Sequence, residues 1–474
     1  MKKILYILTA FLLFSCEDLL VEKPKSIAVE TFYNTSAEVE SALAAIYSPV
    51  KGSNTLGATY LGMHEACSDF FYGRGSYAPL SDYQGLNSTN VTRAGIIWRD
   101  FYLSIRNANL VIKKVPDAKN ISEANKSKYI AEAKFLRAWI YFYLVRNWAG
   151  VPIHTELNME IVELPRSTVA QVYELITSDL DFAQNNLPDN APIAGRPSKW
   201  SAKTLLADAY FYQGKNVEAS AKAAEVIQSG KYSLVGVTVP SDFDKIFGPA
   251  VVSSTEEIFY LKYSIESSWG MVLMYHGAGT PYLGITGYSA LYGTTDNPLY
   301  ANWDNKDLRK TFGWYAWNIG SGTNTLLNKK FSDPGALIPR NDFPIYRYSD
   351  LLLIYAEASC LGGGSPTADG MEKLNMVHRR AYGFNALQPS VVDFKLADYD
   401  KASFTTLVIK ERGYETQAEG KRWLDLIRSG KVKEYIQVAK GKDVPEKQLL
   451  WPIPVTEMNY NKAIDPNKDQ NSGY

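Results

Sequence analysis

Apolar residues recur along most of this chain at helical spacing, and proline or glycine closes each run. That punctuation restricts the fold to helices joined by short turns. Val39, Leu43 and Ile46 make a stripe over Ser36 to Tyr47, with Pro49 as the expected stop. A second helix is expected over Ile96 to Val115, ended by Pro116. Ser122 is placed to cap the next, and Phe135, Trp139 and Phe142 follow at i, i+4, i+7. Gly150-Val151-Pro152 closes it, a C-terminal glycine with proline just beyond. Further helices are expected over Thr168 to Asn186, Tyr348 to Ser359, Met371 to Ala381, Phe404 to Glu419 and Arg422 to Ser429. Gly362 to Pro366 reads as a helix–helix turn, and Leu449 to Tyr474 as an extended, proline-punctuated end.

After a cap at Ser198, Leu206-Ala207, Tyr210, Gly214 and Ala219 hold the relative positions of a tetratricopeptide repeat. Small residues there let antiparallel helices approach closely, Tyr210 fills the wedge, and Gly214 permits the turn. Such pairs serve either as a peptide-docking solenoid or as plain scaffold, and scaffold is the better reading because a fold does not give a function.

The segment from about 235 to 339 loses this periodicity and reads as loops with short strands inserted into the helical body. Of 10 Trp in the chain, Trp269, Trp303, Trp314 and Trp317 fall here, with Tyr275, Tyr282, Tyr288, Tyr292, Tyr300 and Tyr315 among interleaved glycines. Rings on loops without helical spacing cannot all point into one core. Sugars offer apolar C–H faces that stack on such rings and hydroxyls that bond to polar neighbours. Trp98, Trp139, Trp148, Trp200 and Trp423 sit in helical patterns and read as structural.

At the N-terminus, Lys2 and Lys3 precede an apolar run from Ile4 to Phe14, short of the roughly 20 residues that span a bilayer. Leu13-Phe14-Ser15-Cys16 reads as a lipobox, with Cys16 as the acylated residue after cleavage. Residues 1–15 are then a signal peptide, 16–30 a lipidated tether and 31–474 a single domain. Glu17-Asp18 resembles a surface-export signal of Bacteroidota-type lipoproteins. The two remaining cysteines, Cys67 and Cys360, can either pair or stand as separate buried thiols.

Several blocks together are similar to the SusD/RagB family of outer-membrane nutrient-binding lipoproteins. They are AEAKFLRAWIYFYLVRNWAGVPI (131–153), RPSKWSAKTLLADAYFYQGK (196–215), KDLRKTF (306–312), IYRYSDLLLIYAEA (345–358) and LNMVHRRAYG (374–383). IKERGYETQAEGKRWLDLIRSGK (409–431) and LLWPIPVTEMNYN (449–461) complete the set. His378 stands where the family usually has arginine, and Thr416-Gln417-Ala418 replaces a more apolar stretch. The resemblance implies a mainly α fold: tetratricopeptide-like helix pairs form a curved scaffold, about 31–234 and 340–440, with the irregular insert, about 235–339, packed on it.

It also implies a surface-exposed, lipid-anchored outer-membrane protein that binds oligosaccharide or polysaccharide. Delivery would be to a SusC-like TonB-dependent transporter for uptake. The alternative is a peptide-binding protein of the RagB type. Family ligand sites draw on two loop regions, so the expected site combines Arg74, Tyr77 and Tyr83 with Trp269, Tyr282, Tyr288, Tyr292, Trp303, Trp314 and Trp317.

Other classes find little support. With 50 basic and 50 acidic residues, the neutral balance argues against capture of nucleic acid. His64-Glu65 lacks the second histidine of a zinc-protease helix, and no Walker, Rossmann or G-x-S-x-G pattern occurs. Asp296 and Asp304 lie near the aromatics as a glycosidase pair would, but 50 acids make such proximity common. Asp304 to Asp307 lacks the glycine and terminal glutamate of a calcium loop. No cofactor and no metal is expected.

Overall fold

In the computed structural model, which describes residues 32–264, 270–284, 286–335 and 339–474, the first helix is α1 (Ser36–Lys51). Thr35 and Glu38 close a capping box at its start. The helix does not stop at Pro49 but runs through it. The carbonyl that Pro49 cannot engage, that of Ala45, instead accepts a hydrogen bond from the Asn107 side chain at 2.9 Å.

The mostly buried α2 (Thr59–Cys67) follows, then α3 (Ser88–Lys114). α3 starts before the expected Ile96, because Asn87 accepts the Asn90 amide at 3.1 Å and the polar first turns hide the periodicity. α4 (Glu123–Trp148) follows Ser122, whose side chain makes no capping bond. The left-handed residue after α4 is Ala149, with φ 62°. Gly150 is needed for space instead: a Cβ there would lie 2.2 Å from the Ser167 carbonyl oxygen.

The array continues with α5 (Val169–Asn186), α6 (Lys199–Tyr212) and α7 (Asn216–Gln228). Ser198 caps α6 by accepting from Trp200 and Ser201, and Gly214, at φ 71° with open space around it, turns the chain into α7. After the insert come α8 (Tyr348–Gly363), α9 (Ala368–Ala381) and α10 (Lys401–Glu415). α1 packs on α3, α3 on α4, and so on through α7, which packs on α8; α9 and α10 lie against α8. From α3 to α8 each helix packs on the next in the chain, and only the α7–α8 step is joined by a long connection. The chain between Gln228 and Tyr348 leaves the array and returns. The architecture is mainly helical, as expected.

Six short strands occur among the described residues: β1 (Tyr72–Gly73), β2 (Glu257–Leu261), β3 (Leu291–Thr294), β4 (Trp314–Ala316), β5 (Thr325–Asn328) and β6 (Phe343–Arg347). β2 and β6 form an antiparallel ribbon against α6. The other four form an antiparallel sheet in the order β1-β3-β5-β4, so a loop from between α2 and α3 shares a sheet with the insert.

A buried ionic cluster fastens insert to array. Arg309 reaches Asp307 at 2.6 Å and Glu411 at 2.8 Å; Arg347 reaches Glu415 at 2.7 Å and Glu419 at 2.6 Å. Arg380 binds Glu256 at 2.6 Å and Glu415 at 2.5 Å, and Lys330 binds Glu419 at 2.5 Å. Buried charges are tolerated only when paired in this way. Burial alone would raise the glutamate pKa values. Attraction to Arg309 overrides it for Glu411, and to Arg347 and Lys330 for Glu419, holding each at about 2.

The C-terminal part adds α11 (Arg422–Arg428), α12 (Val432–Lys440) and α13 (Val455–Tyr460), the last within the segment expected to be wholly extended. Cys67 and Cys360 are both buried and unpaired. Cys16 and Trp269 lie outside the described residues.

Candidate functional site

β1 and β3 bring the two candidate loop regions side by side. Tyr72 sits directly opposite Tyr292, and their rings stack 5.6 Å apart at 27°. Both are half-buried. Strand alternation turns Gly293 to the other face, where a Cβ would meet the Trp314 ring at 2.8 Å. Close packing beneath the sheet therefore requires glycine, while the tyrosines keep the open face.

Lys440 of α12 supports the pair, its amino group 4.7 Å from the Tyr72 ring centre. It also donates to the Phe71 carbonyl at 2.6 Å and the Tyr83 hydroxyl at 2.9 Å. Burial pulls its pKa down to about 7. The Arg74 amide donates to the Ala290 carbonyl at 2.7 Å, which leaves the exposed guanidinium beside Ser289 Oγ at 3.5 Å. Ser289 holds φ 40°, in the region that disfavours side chains, and its neighbour Tyr288 is 52% exposed.

A second ring group lies toward β4. Tyr282 and Tyr315 approach to 4.5 Å at 57°, and Trp317 lies 6.3 Å from Tyr315. All three are half-buried, and the Lys329 amino group stands 5.0 Å from the Tyr282 ring centre. His276 approaches the Tyr315 hydroxyl at 3.4 Å, with its pKa lowered by burial to about 4.

Four of the expected rings are core instead. Trp303 stacks on Tyr414 at 4.1 Å and 5°, and its indole donates to Asp307 at 2.8 Å. Trp314 packs on Phe71 at 4.9 Å and donates to Gln417. The Tyr83 hydroxyl donates to the Cys67 carbonyl at 2.8 Å, and Tyr77 is buried under the Arg93 guanidinium at 4.1 Å. Trp303, Trp314 and Tyr83 each have an internal partner for their polar atom, so burial costs them no hydrogen bond. These four cannot serve as an exposed stacking surface. Arg74 and Tyr292 come together with Tyr72, and Tyr282 and Trp317 with Tyr315, while Tyr288 lies toward Tyr77 and Arg93 instead. Sequence reasoning missed Tyr72. Its signal was the Phe71-Tyr72 pair directly before the glycine-rich loop, where a ring inside the fold and one outside it alternate.

Trp98, Trp139, Trp148 and Trp423 are buried, and Trp200 is half-buried. His64 is a core residue whose ring nitrogens engage the Tyr60 carbonyl and Asn147, both at 2.8 Å. Among the described residues no group of three or more His, Cys, Asp or Glu could hold a metal ion.

The helical array thus carries half-buried tyrosines and an exposed guanidinium on one sheet. The chain belongs to the SusD family, whose model matches residues 210–474; a SusD-like model described as starch-binding and associating with the outer membrane matches residues 18–211. SusD-like proteins bind carbohydrate and are not enzymes. A SusD-like protein of Formosa agariphila is 26% identical, with 99% of each chain covered. A SusD superfamily structure from Parabacteroides distasonis superposes with a TM-score of 0.75 at 25% identity, covering 92% of this chain and 99% of that one. Surface glycan-binding protein A of Bacteroides fluxus shares the fold, with a TM-score of 0.74 at 20% identity over 93% of this chain and 100% of its own. Among the described residues no helix is long and apolar enough to cross a membrane.

Proposed function

We propose that this chain is a surface-exposed outer-membrane lipoprotein, anchored through Cys16, that captures an oligosaccharide and passes it to a SusC-like TonB-dependent transporter. The stacked Tyr72–Tyr292 pair beside the Arg74 guanidinium carries the binding reading. The two half-buried rings, stacked on each other with planes inclined at 27°, leave apolar surface for the C–H face of a sugar, and the exposed Arg74 guanidinium supplies donors for its hydroxyls. Tyr282, Tyr315 and Trp317 extend the same insert and form its second contact area. Family membership and the glycan-binding name of a structural relative support the ligand class. The lipobox at Cys16 supports the anchor.

A glycan array, followed by calorimetry on the soluble form lacking Cys16, tests the ligand class. Binding of a peptide library with no saccharide bound would favour the RagB-type alternative. Isolation of the lipidated protein from native membranes should bring down a large barrel protein, and recovery without one would refute the partner. Cys16→Ala should end incorporation of a fatty-acid probe, and continued labelling would sink the anchor.

A further inference from the structure

A cleft of about 450 Å³ opens between the C-terminal end of α1, the turn Ile193 to Arg196, and β2. That is within the size range of small-ligand sites, roughly 300–1,000 Å³. It shares no lining residue with the aromatic sheet. One wall is the turn itself. Gly195 there has φ 85°, and a Cβ would stand 2.6 Å from Lys262 Cγ, so the turn lies directly on the Lys262 stem and only glycine fits.

Three cations line the cleft, Lys51, Arg196 and Lys262, and no carboxylate does. Two of the three are already neutralised from behind. Arg196 binds Glu40 at 2.6 Å and also Glu132, while Lys262 binds Glu257 at 2.6 Å and Asp342 at 2.9 Å. Lys51 differs. Its amino group donates to the Lys262 carbonyl and lies 4.9 Å from the Tyr263 ring centre, with no carboxylate in ion-pair range among the described residues. Asp342 acts on it only from farther off, and partial burial lowers its pKa. An ammonium has three donors, so two remain for an incoming acceptor. The side chains of Ser48 and Ser53 add hydroxyls, and Tyr47 and the exposed Ile193 supply apolar surface.

We propose that this cleft is a second binding site, independent of the aromatic sheet, which takes an acidic saccharide and seats its carboxylate or sulfate group on Lys51. A half-buried cation with no carboxylate in ion-pair range among the described residues, in a cleft of ligand size, is satisfied by an anion that carries polar and apolar surface of its own. The carboxylates nearby lie outside the lining, held by Arg196 and Lys262, and Asp342 acts on Lys51 only from beyond ion-pair range.

The test uses the soluble full-length domain, reductively methylated with ¹³C so that each lysine gives its own resonance. The Lys51→Arg spectrum assigns the Lys51 signal. Three probes are added: an oligogalacturonate, a sulfated galactan oligosaccharide and a neutral galactan oligosaccharide. The expected result is a saturable shift of the Lys51 signal with one or both acidic probes and none with the neutral one. Which acidic probe acts identifies carboxylate or sulfate as the recognised group. By calorimetry, Lys51→Met should weaken that binding at least tenfold, Lys51→Arg should largely keep it, and Tyr72→Ala with Tyr292→Ala should leave it unchanged. An unmoved Lys51 signal with both acidic probes, an equal shift with the neutral probe, or full affinity in a folded Lys51→Met would overturn the proposal. Loss of binding in the tyrosine variant alone would instead assign the acidic sugar to the sheet. The resonance experiment runs on the unmutated sequence, so it decides the matter even if Lys51→Met proves unstable.

Discussion

Arg309 and Glu411 meet at 2.8 Å, with 5% and 2% of their side chains exposed, and the pair joins the insert to α10. The aromatic sheet is thus held to the helical array by charge as well as by packing. A charged fastening is directional: each guanidinium fixes its carboxylates in angle and distance, which apolar contact does not.

Arg309→Met should leave Asp307, Glu411 and Glu415 facing one another in the interior without their shared cation. Breaking a buried pair from one side costs about 3–5 kcal/mol. Denaturant unfolding should show that loss. Adding Glu411→Leu should return part of it, and a single Arg309→Met variant with unchanged stability would contradict the clamp.

The same cluster sets an acid limit. Glu411 and Glu419 titrate at about 2 in the folded chain, against an ordinary value of 4.5, and Glu415 lies well below it. Folded-state values that are depressed add stability above pH 4.5, and that stability is lost as pH falls from 4.5 through about 2. Melting temperature should drop steeply across that window. Glu411→Gln should flatten the drop, since one titrating group is gone.

Glu65 runs the other way. Its carboxyl accepts the Gly420 amide at 2.6 Å, but burial pushes its pKa up to about 8. A raised carboxylate value gives a contribution that is present below pH 4.5 and lost as pH rises toward 8. The melting temperature of Glu65→Gln relative to the unmutated chain should therefore rise between pH 5 and pH 8. A constant difference would show that Glu65 is ionised throughout.

The blocks that made the sequence readable converge on this interior. Asp307 and Arg309 come from KDLRKTF, Arg347 from IYRYSDLLLIYAEA, Arg380 from LNMVHRRAYG, and Glu411, Glu415 and Glu419 from the block starting at Ile409. A buried network fixes residue type at every member, so it leaves a strong pattern in sequence. The helices were legible for a related reason, since one buried stripe repeats every turn. Their ends were less so: Pro49 is tolerated only because Asn107, far along the chain, serves the Ala45 carbonyl. The open rings were least legible. Trp303 and Tyr292 look alike as loop aromatics, and what separates them is Tyr414 and Asp307 closing over the first.

That difference is measurable. Tyr72→Ala and Tyr292→Ala should each weaken binding of a verified saccharide by about tenfold or more, with melting temperature little changed. Trp303→Ala should do the reverse, losing about 3–5 kcal/mol of stability. Binding isotherms and melting curves on the same preparations check both, and a Trp303→Ala protein of full stability would return that ring to the ligand surface.

The packing of α7 directly on α8, across about 120 intervening residues, makes the whole insert one long loop whose ends are pinned by neighbouring helices. The entropy of closing a loop grows only with the logarithm of its length, about 0.6 kcal/mol for each doubling. Recutting or extending the insert therefore barely taxes the array, provided Arg309, Lys330 and Glu256 keep their partners. Evolution can change Tyr292 and the other rings of the insert as a cassette, trading one sugar for another while Tyr72 on β1 and the helical body stay the same.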